Sequence, residues 1–406
     1  MPRVAVLLPT TTYRATDFVE AAKATGIDLV VVSDRRQLLA DQMGDRFVLA
    51  DLSDAGAAAD AIVGAGPFDA IVAPDDTGVL AGAIAAEALG LPHNPPSAVA
   101  ATRNKVALRR ALRDHVAQPA YQVLERGSDV GAIAAELGFP VVVKPLSRSG
   151  SQGVIRADDE AGVRRAERRI RMILAKCGVN PNEPLLVERF VTGPEVAVEG
   201  ILVGGELTVL AVFDKPDPLD GPFFEETIYV SPSRLHPEVV SAVTDLVTRA
   251  AAGLGLVTGP VHAEVRVSRG VPVLIELAAR PIGGHCGRAL RFGLLGTSLE
   301  EVLLRAATGG RIDRAAPGAI GALMLPIPAS GRLVSVQGID EAAAIPNVDG
   351  VEVVVPIGER IEAVPDGDRY LGFAFAAADD PGDVEAALRA VMGTVRVEID
   401  PAGRRS

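Results

Sequence analysis

The chain has 406 residues, a formal net charge of −12 and a pI near 5.0, so it can form two to four domains with a large core but not a small disulfide or metal scaffold. The acidic balance argues against a nucleic-acid partner, because duplex binding rests on clustered Lys and Arg. Two widely separated cysteines and the lack of a long apolar run indicate a cytoplasmic protein with reduced thiols and no membrane contact.

Residues 1–95 alternate apolar runs with helical patterns. The runs at 4–8, 29–33 and 68–72 read as strands, with helical spacing between and after them. This alternation predicts a doubly wound parallel sheet covered by helices. After the first strand the chain reads Pro9-Thr10-Thr11-Thr12, without G-x-G-x-x-G. A dinucleotide-binding oxidoreductase is therefore disfavoured for this domain.

Residues 96–310 form the second predicted domain, which opens with two helical segments. Asn104 is a good N-cap for the second segment, and Lys105 lies in its first turn. A cation at that position opposes the helix dipole and hints at an external anion, although a solvated lysine is the common alternative.

A strand that delivers a lysine to a Gly/Ser loop follows, within a flap-bearing subdomain at about 118–190. Residues 139–154 read FPVVVKPLSRSGSQGV, with Lys144 on the strand and the small residues Ser149, Gly150, Ser151 and Gly153 after it. A fixed lysine and free backbone N–H groups suit phosphate oxygens. The lysine precedes the glycines, unlike the order in G-x-x-x-x-G-K-[ST]. The pattern predicts a β-hairpin flap over nucleotide phosphates, with an ordinary turn as the alternative.

The next strand runs into a turn with a carboxylate at each end. It contains Glu188, Arg189, Phe190, Val191 and, after the turn, Glu195. Such a segment can present backbone groups to a purine edge, with Glu188 accepting from an exocyclic amine and Glu195 from ribose hydroxyls. The alternative is a surface turn with ordinary charges.

Two glutamates on adjacent strands mark a subdomain at about 191–310. Glu264 and Glu276 lie on strands joined by the turn Ser268-Arg269-Gly270, and at matching register their carboxylates can hold Mg²⁺ together with substrate phosphates. A surface hairpin is the alternative. Arg280, Gly283 and Gly284 follow the second strand, where an arginine and open backbone suit developing phosphoryl charge.

Three further features of the sequence bear on a possible substrate site or catalytic group. Glu226 follows two aromatics in a loop and could recognise a substrate amine, although exposed Glu pairs are common. His285 and Cys286 adjoin the glycines and are interpreted as pocket wall, since no Ser/His/Asp arrangement supports covalent catalysis. Residues 311–406 contain short strands and one helix, which predicts a small C-terminal α/β domain without an obvious chemical group of its own.

In combination, the ordered set Lys105, Lys144, Gly-rich flap, Glu188 to Glu195, Glu264, Glu276 and Arg280 resembles the ATP-grasp superfamily of carboxylate-amine ligases. The resemblance covers roughly residues 97–309, and the tail is similar to that of bacterial L-amino-acid (dipeptide) ligases. It implies an α/β and α+β multidomain protein, with a doubly wound N-terminal domain at 1–95, a central ATP-grasp fold at 96–310 and a small C-terminal domain at 311–406.

The resemblance also implies roles for single residues. Lys105, Lys144 and the flap residues would contact ATP phosphates, while Arg189 and Val191 would offer backbone groups to adenine and Glu195 would hold the ribose. Glu264 and Glu276 would bind Mg²⁺, or Mn²⁺ in its place. Glu226 would bind the α-amine of the first amino acid, and Arg280 and Gly283 its carboxylate. Many members carry an asparagine two residues after the second metal glutamate, where this chain has Ala278.

The implied reaction is ATP-dependent amide formation from small-molecule carboxylate and amine substrates, through an acyl-phosphate, with a homodimer as the implied assembly. A purine-biosynthesis-type or formate- or bicarbonate-activating enzyme shares the fold and ATP site. It would want Arg or Lys in the N-terminal domain, where Arg14, Arg35 and Arg36 form no clear cluster. A non-catalytic ATP-binding sensor or scaffold is the alternative of another class. The sequence leaves both substrates open.

Overall fold

The computed structural model describes residues 1–35, 43–293, 295–311 and 318–401. The N-terminal domain is a parallel sheet of four strands, in the order β3-β2-β1-β4. Its strands are β1 (Arg3–Leu7), β2 (Asp28–Ser33), β3 (Phe47–Leu49) and β4 (Ala70–Val72), and its helices are α1 (Ala15–Thr25), α2 (Ala55–Ala65) and α3 (Val79–Ala88). Residues 4–7 have no exposed surface. Burial on both faces is what a parallel sheet between helices requires.

Two short helices, α4 (Pro96–Thr102) and α5 (Lys105–Ala111), lead into the central domain. The Asn104 side chain accepts hydrogen bonds from the N–H groups of Val106 and Ala107, both at 3.0 Å, which confirms the predicted N-cap. Helix α5 ends at Ala111, whereas the sequence pattern predicts a helical segment from Asn104 to His115. Gln118 donates to the carbonyl of Arg109 at 2.7 Å and so satisfies a carbonyl that a longer helix would have used.

The flap-bearing subdomain is an antiparallel sheet in the order β5-β8-β6-β7. It contains β5 (Tyr121–Leu124), α6 (Val130–Leu137), β6 (Val141–Pro145), β7 (Ile155–Ala157), α7 (Glu160–Lys176) and β8 (Leu185–Arg189). Strands β6 and β7 pair antiparallel, so residues 146–154 form the tip of a hairpin, as predicted. Asp129 and Asp159 cap the two helices with their carboxylates.

The central sheet has eight antiparallel strands in the order β13-β12-β9-β10-β11-β14-β18-β16. The strands are β9 (Glu195–Val203), β10 (Glu206–Lys215), β11 (Ile228–Ser231), β12 (Gly259–Ser268), β13 (Val271–Ala278), β14 (Ala319–Leu325), β16 (Val348–Val353) and β18 (Gly372–Ala378). The last three come from the C-terminal region, so the sheet of the central domain continues into it through the pairing of β11 with β14.

The remaining elements cover this sheet or extend it at one end. They are α8 (Pro237–Leu254), α9 (Ala289–Gly293), α10 (Leu299–Ala307), α11 (Ile339–Ala343), α12 (Pro381–Thr394) and a small sheet of β15 (Gly331–Gln337), β17 (Arg360–Ile361) and β19 (Arg396–Asp400). Among the described residues, no helix combines the length and apolar character needed to cross a bilayer.

One hydrophobic core joins the N-terminal, central and C-terminal parts. Phe18 of α1, Phe213 of β10 and Phe373 of β18 belong to the same buried cluster. The predicted fold class, α/β and α+β with a doubly wound N-terminal domain, is confirmed. Because the three parts share a core, the space between them is a defined cleft.

Candidate active site

A cavity of about 320 Å³ lies where the three parts meet. Its walls contain all but one of the site residues predicted from sequence: Lys105, Lys144, Ser149, Gly150, Ser151, Glu188, Arg189, Phe190, Val191, Glu195, Glu226, Glu264, Glu276, Arg280, Gly283 and Gly284. The exception is Gly153. Its N–H donates to the Pro365 carbonyl at 2.9 Å, and a Cβ there would lie 3.2 Å from Pro145, so this glycine shapes the base of the flap.

Lys144 is held in place by a buried carboxylate. Its Nζ lies 2.7 Å from Glu188 Oε2, and Arg109 Nε donates to Glu188 Oε1 at 2.6 Å. Burial alone would raise the pKa of Glu188, but the charges of Arg109 and Lys144 outweigh it and lower that pKa to about 2. Both Glu188 oxygens are therefore engaged with protein cations, and the predicted contact with an adenine amine stays a prediction.

Lys105 reaches the same cavity from the first turn of α5. Its Nζ donates to the carbonyl of Arg148 in the flap at 2.7 Å and lies 3.9 Å from Glu276 Oε2. The unfavourable position of the lysine at a helix N-terminus thus has a local explanation, since its ammonium points toward a carbonyl and a carboxylate.

Three carboxylates surround one buried lysine on the floor of the cavity. Lys215 Nζ lies 2.7 Å from Glu195, 2.5 Å from Glu226 and 3.3 Å from Glu264. The carboxylate oxygens lie within 4.8 Å of one another, close enough to share a cation, and the Lys215 ammonium fills that role here. Burial raises the pKa of Glu226, and Lys215 offsets only part of that effect. Glu226 is thus a carboxylate that a further cation would stabilise.

Glu264 and Glu276 are direct cross-strand partners on β12 and β13, which is the register that the sequence indicated. His262 Nε2 lies 3.8 Å from Glu264, and His262 Nδ1 is bonded to the buried Glu199. Burial alone would lower the pKa of His262, but the Glu199 carboxylate outweighs it and raises that pKa to about 9. The imidazole is therefore charged at neutral pH and partly balances the carboxylates.

Arg280 is anchored by the N-terminal domain. Its Nε lies 2.9 Å from Asp76 Oδ2, and Arg103 is 3.4 Å from the other oxygen of Asp76. Burial opposes ionisation of Asp76, but the two arginines outweigh it and lower its pKa. The chain then passes Ile282, whose N–H donates to Glu199 at 3.0 Å, and reaches Gly283.

Gly284 is required by its surroundings. Its φ is +59°, and a Cβ would lie 2.7 Å from the ring of Phe373. The glycine loop therefore packs closely on the C-terminal part of the chain.

Cys286 lines the cavity, as expected from the sequence, whereas His285 is buried beside it and does not line it. The His285 ring nitrogens are bonded to Glu352 and to the Tyr13 carbonyl, the latter at 2.6 Å. Burial raises the pKa of the Cys286 thiol well above its ordinary value. A buried neutral thiol and an imidazole with both nitrogens engaged are poor candidates for a nucleophile and base.

Sequence reasoning missed several groups that line or anchor this cavity, among them Asp76, Lys215 and Tyr370. Tyr370 donates to Glu226 Oε2 at 3.3 Å. Lys215 ends a strand whose residues 209–213 are all apolar, which was a usable signal. Asp76 follows a buried strand of the N-terminal sheet, where ligands commonly bind. Tyr370 carried no local signal.

Family models match three successive regions of the chain. They describe an ATP-grasp N-terminal domain over residues 19–93, an ATP-grasp domain over 137–289 and an L-amino acid ligase C-terminal domain 2 over 323–400. The crystal structure of an L-amino acid ligase from Bacillus licheniformis is similar over 98% of this chain and 99% of that chain, with a TM-score of 0.80 and 25% identity.

Two curated relatives match over shorter regions. Dapdiamide A synthase of Enterobacter agglomerans is 33% identical over 191 residues, which are 46% of this chain and 44% of that protein. An uncharacterized protein of Sinorhizobium fredii is 28% identical over 316 residues, 77% of this chain and 64% of that protein. The chain thus spans less than two thirds of the length of these two relatives.

Proposed function

The chain is an ATP-grasp protein, and from that premise we propose that it is an ATP-dependent ligase that joins amino acids through an amide bond. One observation carries the proposal: the paired Glu264 and Glu276, the two lysines Lys105 and Lys144, and Arg280 all face one cavity. A polyphosphate, its metal and a carboxylate substrate need these charges at one place. The pairing of an ATP-grasp domain with an L-amino acid ligase C-terminal domain supports amino acids as substrates.

The proposed reaction has two steps. A carboxylate oxygen of the first amino acid attacks the γ-phosphorus of ATP, and the bond from that phosphorus to the β-phosphate oxygen breaks. ADP is the leaving group, and the amino acid becomes an acyl-phosphate. The amine of the second amino acid then attacks the acyl carbon, and inorganic phosphate leaves as the amine loses a proton. Catalysis of both steps rests mainly on positioning and charge neutralisation.

The phosphate site in this proposal is formed by Lys105, Lys144 and the flap. Glu188 and Arg109 fix the Lys144 ammonium, so little of its conformational freedom remains to be lost when a phosphate binds. Arg280, held by Asp76, would stabilise negative charge on the transferring phosphoryl group and on the substrate carboxylate. The flap would exclude water, which otherwise hydrolyses the acyl-phosphate.

The paired glutamates offer the carboxylate oxygens that a hard divalent cation prefers. Glu276 is about one-third exposed and lies 3.9 Å from the Lys105 ammonium, so its oxygens can accept a metal. Glu264 and Glu276 would hold Mg²⁺ or Mn²⁺, which supplies charge neutralisation to the ATP phosphates. Since Ala278 offers no ligand atom, the chain provides these two carboxylates and the remaining ligands would be phosphate oxygens and water.

The nucleotide base and ribose would occupy the segment between β8 and β9. The Arg189 N–H already donates to the Ala120 carbonyl at 2.8 Å, and the Val191 carbonyl accepts from Arg266 at 2.9 Å. In the proposed adenine contact, Arg189 would therefore use its carbonyl and Val191 its N–H. Glu195, already paired with Arg266 and Lys215, would keep a lone pair for a ribose hydroxyl.

Glu226 is proposed to bind the α-ammonium of the first amino acid. The cluster of Glu195, Glu226 and Glu264 has three negative charges around the single Lys215, and burial holds the Glu226 pKa above its ordinary value. A substrate ammonium would lower the energy of the ionised carboxylate. Arg280 and the Gly283 backbone would receive the substrate carboxylate at the other side.

A purine-type rival would need free cations in the N-terminal domain for a phosphorylated substrate. Arg14 is 2% exposed, paired with Glu300 at 3.2 Å and bonded to the Ile282 carbonyl, so it serves the domain packing. Arg35 is exposed, and Arg36 lies outside the described residues. This use of Arg14 favours an amino acid over a phosphorylated substrate.

The test is phosphate release from ATP and Mg²⁺ with every pair of the twenty amino acids, together with formate and bicarbonate, followed by mass spectrometry. A product one water lighter than the sum of two amino acids supports the proposal. ATP binding without ADP formation across the whole panel would refute it in favour of a sensor or scaffold.

Two variants test the proposed roles. Glu264→Gln and Arg280→Ala should abolish turnover and leave the fold intact by circular dichroism. The exposed Glu206→Gln and Arg165→Ala are the matched controls and should retain activity. Near-wild-type ADP release by either site variant would contradict the assignment.

Assembly and compartment complete the proposal. A homodimer is expected from family likeness and is tested by light scattering on the purified chain. The free cysteines Cys177 and Cys286 support a reducing, cytoplasmic compartment.

A further inference from the structure

Residues 362–370 of the C-terminal part, here called the clasp, contact the flap. Asp368 pairs with Arg148 at 2.9 Å, the Asp366 carbonyl accepts from Gln152 at 2.6 Å, and the Pro365 carbonyl accepts from Gly153 at 2.9 Å. These contacts join two regions that are more than 200 residues apart in sequence. The flap is thus docked against the clasp through Arg148, Gln152 and Gly153.

The clasp also contacts the flap-bearing subdomain away from the flap. Arg169 on α7 makes a two-point pair with Asp366, at 2.9 and 2.6 Å, and Lys176 pairs with Glu362. Gly150 approaches so closely that a Cβ would lie 3.2 Å from the Asp368 carbonyl oxygen. Backbone and charged contacts together define one docked position for the flap.

Tyr370 lies two residues beyond Asp368 and faces the cavity floor. Its hydroxyl donates to Glu226 Oε2 at 3.3 Å, while Lys215 holds the other oxygen, Glu226 Oε1, at 2.5 Å. The Tyr370 ring packs edge-on against Phe373 with centroids 6.0 Å apart, and the Leu371 N–H donates to the Leu325 carbonyl at 3.0 Å. Ring and backbone are therefore both fixed, and the hydroxyl has a defined position.

We propose that Tyr370 is a positioning residue for the substrate-ammonium site at Glu226, and that the clasp couples its position to flap closure. The inference rests on the proposed function for the identity of the ammonium. A carboxylate held at both oxygens cannot rotate, so it presents a fixed acceptor to a third cation. Asp366 and Asp368 hold the flap, which covers the proposed phosphate site, and Tyr370 holds Glu226 at the proposed ammonium site. The same nine-residue segment therefore contacts both sites.

The proposal assigns a role to the C-terminal part of the chain. When the flap lifts from the clasp, Asp368 loses Arg148, and Tyr370 and its backbone keep only the contacts with Phe373 and Leu325. Amino-acid binding and exclusion of water would then weaken together, and the acyl-phosphate would be hydrolysed instead of forming the amide.

The first experiment is Tyr370→Phe, which removes the hydroxyl and keeps the ring. The KM for the first amino acid should rise about fivefold, the scale of one ordinary hydrogen bond lost, while the KM for ATP stays unchanged. Tyr121→Phe, outside the cavity, is the matched control. An unchanged KM for the amino acid, or equal rises in both KM values, would overturn the positioning role.

The second experiment needs no turnover. In the Asp366→Asn/Asp368→Asn variant, trypsin should cleave after Arg148 about fivefold faster than in the wild type, since two exposed ion pairs are lost. Asp379→Asn changes an exposed carboxylate outside the clasp; it is the control and should match the wild type. If the double variant and the wild type were cleaved at equal rates, the proposal that the clasp holds the flap would be wrong.

The two experiments separate failure of this inference from failure of the proposed function. If the wild type forms no amide with any amino acid, the proposed function fails, and the cleavage rates still test the clasp. If the wild type forms the amide, the double variant should release more phosphate than amide formed. A ratio of one in that variant would contradict the coupling.

Discussion

The substitution Glu188→Gln tests the reading of the phosphate site most sharply. Glu188 is 2% exposed, and its two oxygens bind Arg109 and Lys144 at 2.6 and 2.7 Å. Glutamine keeps the shape and one acceptor, but leaves two buried cations without a counter-charge. Removing one member of a buried ion pair costs about 3–5 kcal/mol.

A second route gives a similar magnitude. The pKa of Glu188 falls from an ordinary 4.5 to about 2, and at about 1.4 kcal/mol per unit that shift corresponds to about 3 kcal/mol of stability. The folded pKa lies below the unfolded value. The contribution is therefore fully present above pH 4.5 and is lost as the pH falls from 4.5 toward 2.

The assay is urea unfolding followed by circular dichroism at several pH values, alongside the KM for ATP. Glu188→Gln should lower the free energy of unfolding by about 3 kcal/mol at pH 7, and the gap to the wild type should narrow below pH 4.5. The KM for ATP should rise, since Lys144 loses its anchor. Exposed Glu206→Gln is the control. A variant as stable as the wild type, with unchanged KM for ATP, would refute this account.

Three further predictions concern the cavity floor, the turn at Gly193 and the thiols. Lys215→Met leaves Glu195, Glu226 and Glu264 without their shared ammonium. Turnover should therefore fall at least roughly 100-fold in the amino-acid panel. Unchanged turnover would exclude an essential role of Lys215 in the reaction. Gly193→Ala places a Cβ 2.1 Å from the Val267 carbonyl oxygen at φ +109°, and should destabilise the fold by roughly 2–4 kcal/mol in thermal unfolding, whereas Gly178→Ala, where no atom lies within 4 Å, should cost less. Iodoacetamide at pH 8 should label exposed Cys177 and spare buried Cys286 in peptide mass spectra, because burial raises the Cys286 thiol pKa; equal labelling would contradict that burial.

Local patterns were sufficient where the chemistry depends on neighbours in sequence or across a hairpin. Asn104 caps α5 as expected, and the turn after Ser268 joins β12 and β13 into the expected hairpin. A bulge between Glu264 and Val265 shifts the register and places Glu264 opposite Glu276, so the turn alone does not fix that pair. The hairpin that carries Lys144 was predictable from its two apolar strands and the Gly/Ser turn between them.

The partners of these residues were not predictable, because they come from elements distant in the chain. Arg280 is anchored by Asp76, about 200 residues earlier, and Lys144 by Glu188, whose other partner is Arg109. No local period encodes which domain faces which. The sequence showed a charged Glu188 on an otherwise apolar strand segment. It did not show that Arg109 and Lys144 would already bind both of its carboxylate oxygens.

The C-terminal part illustrates the same limit with a functional consequence. Its charged residues follow no spacing that points to a chemical role, and it therefore offered no obvious chemical group of its own. Folding extends the central sheet through β14 and brings Asp368 to the flap and Tyr370 to Glu226. The role proposed for the Tyr370 hydroxyl depends on its hydrogen bond to Glu226, and that bond is a result of the tertiary packing. Candidate residues in such a domain are therefore best sought among the contacts it makes with the cleft.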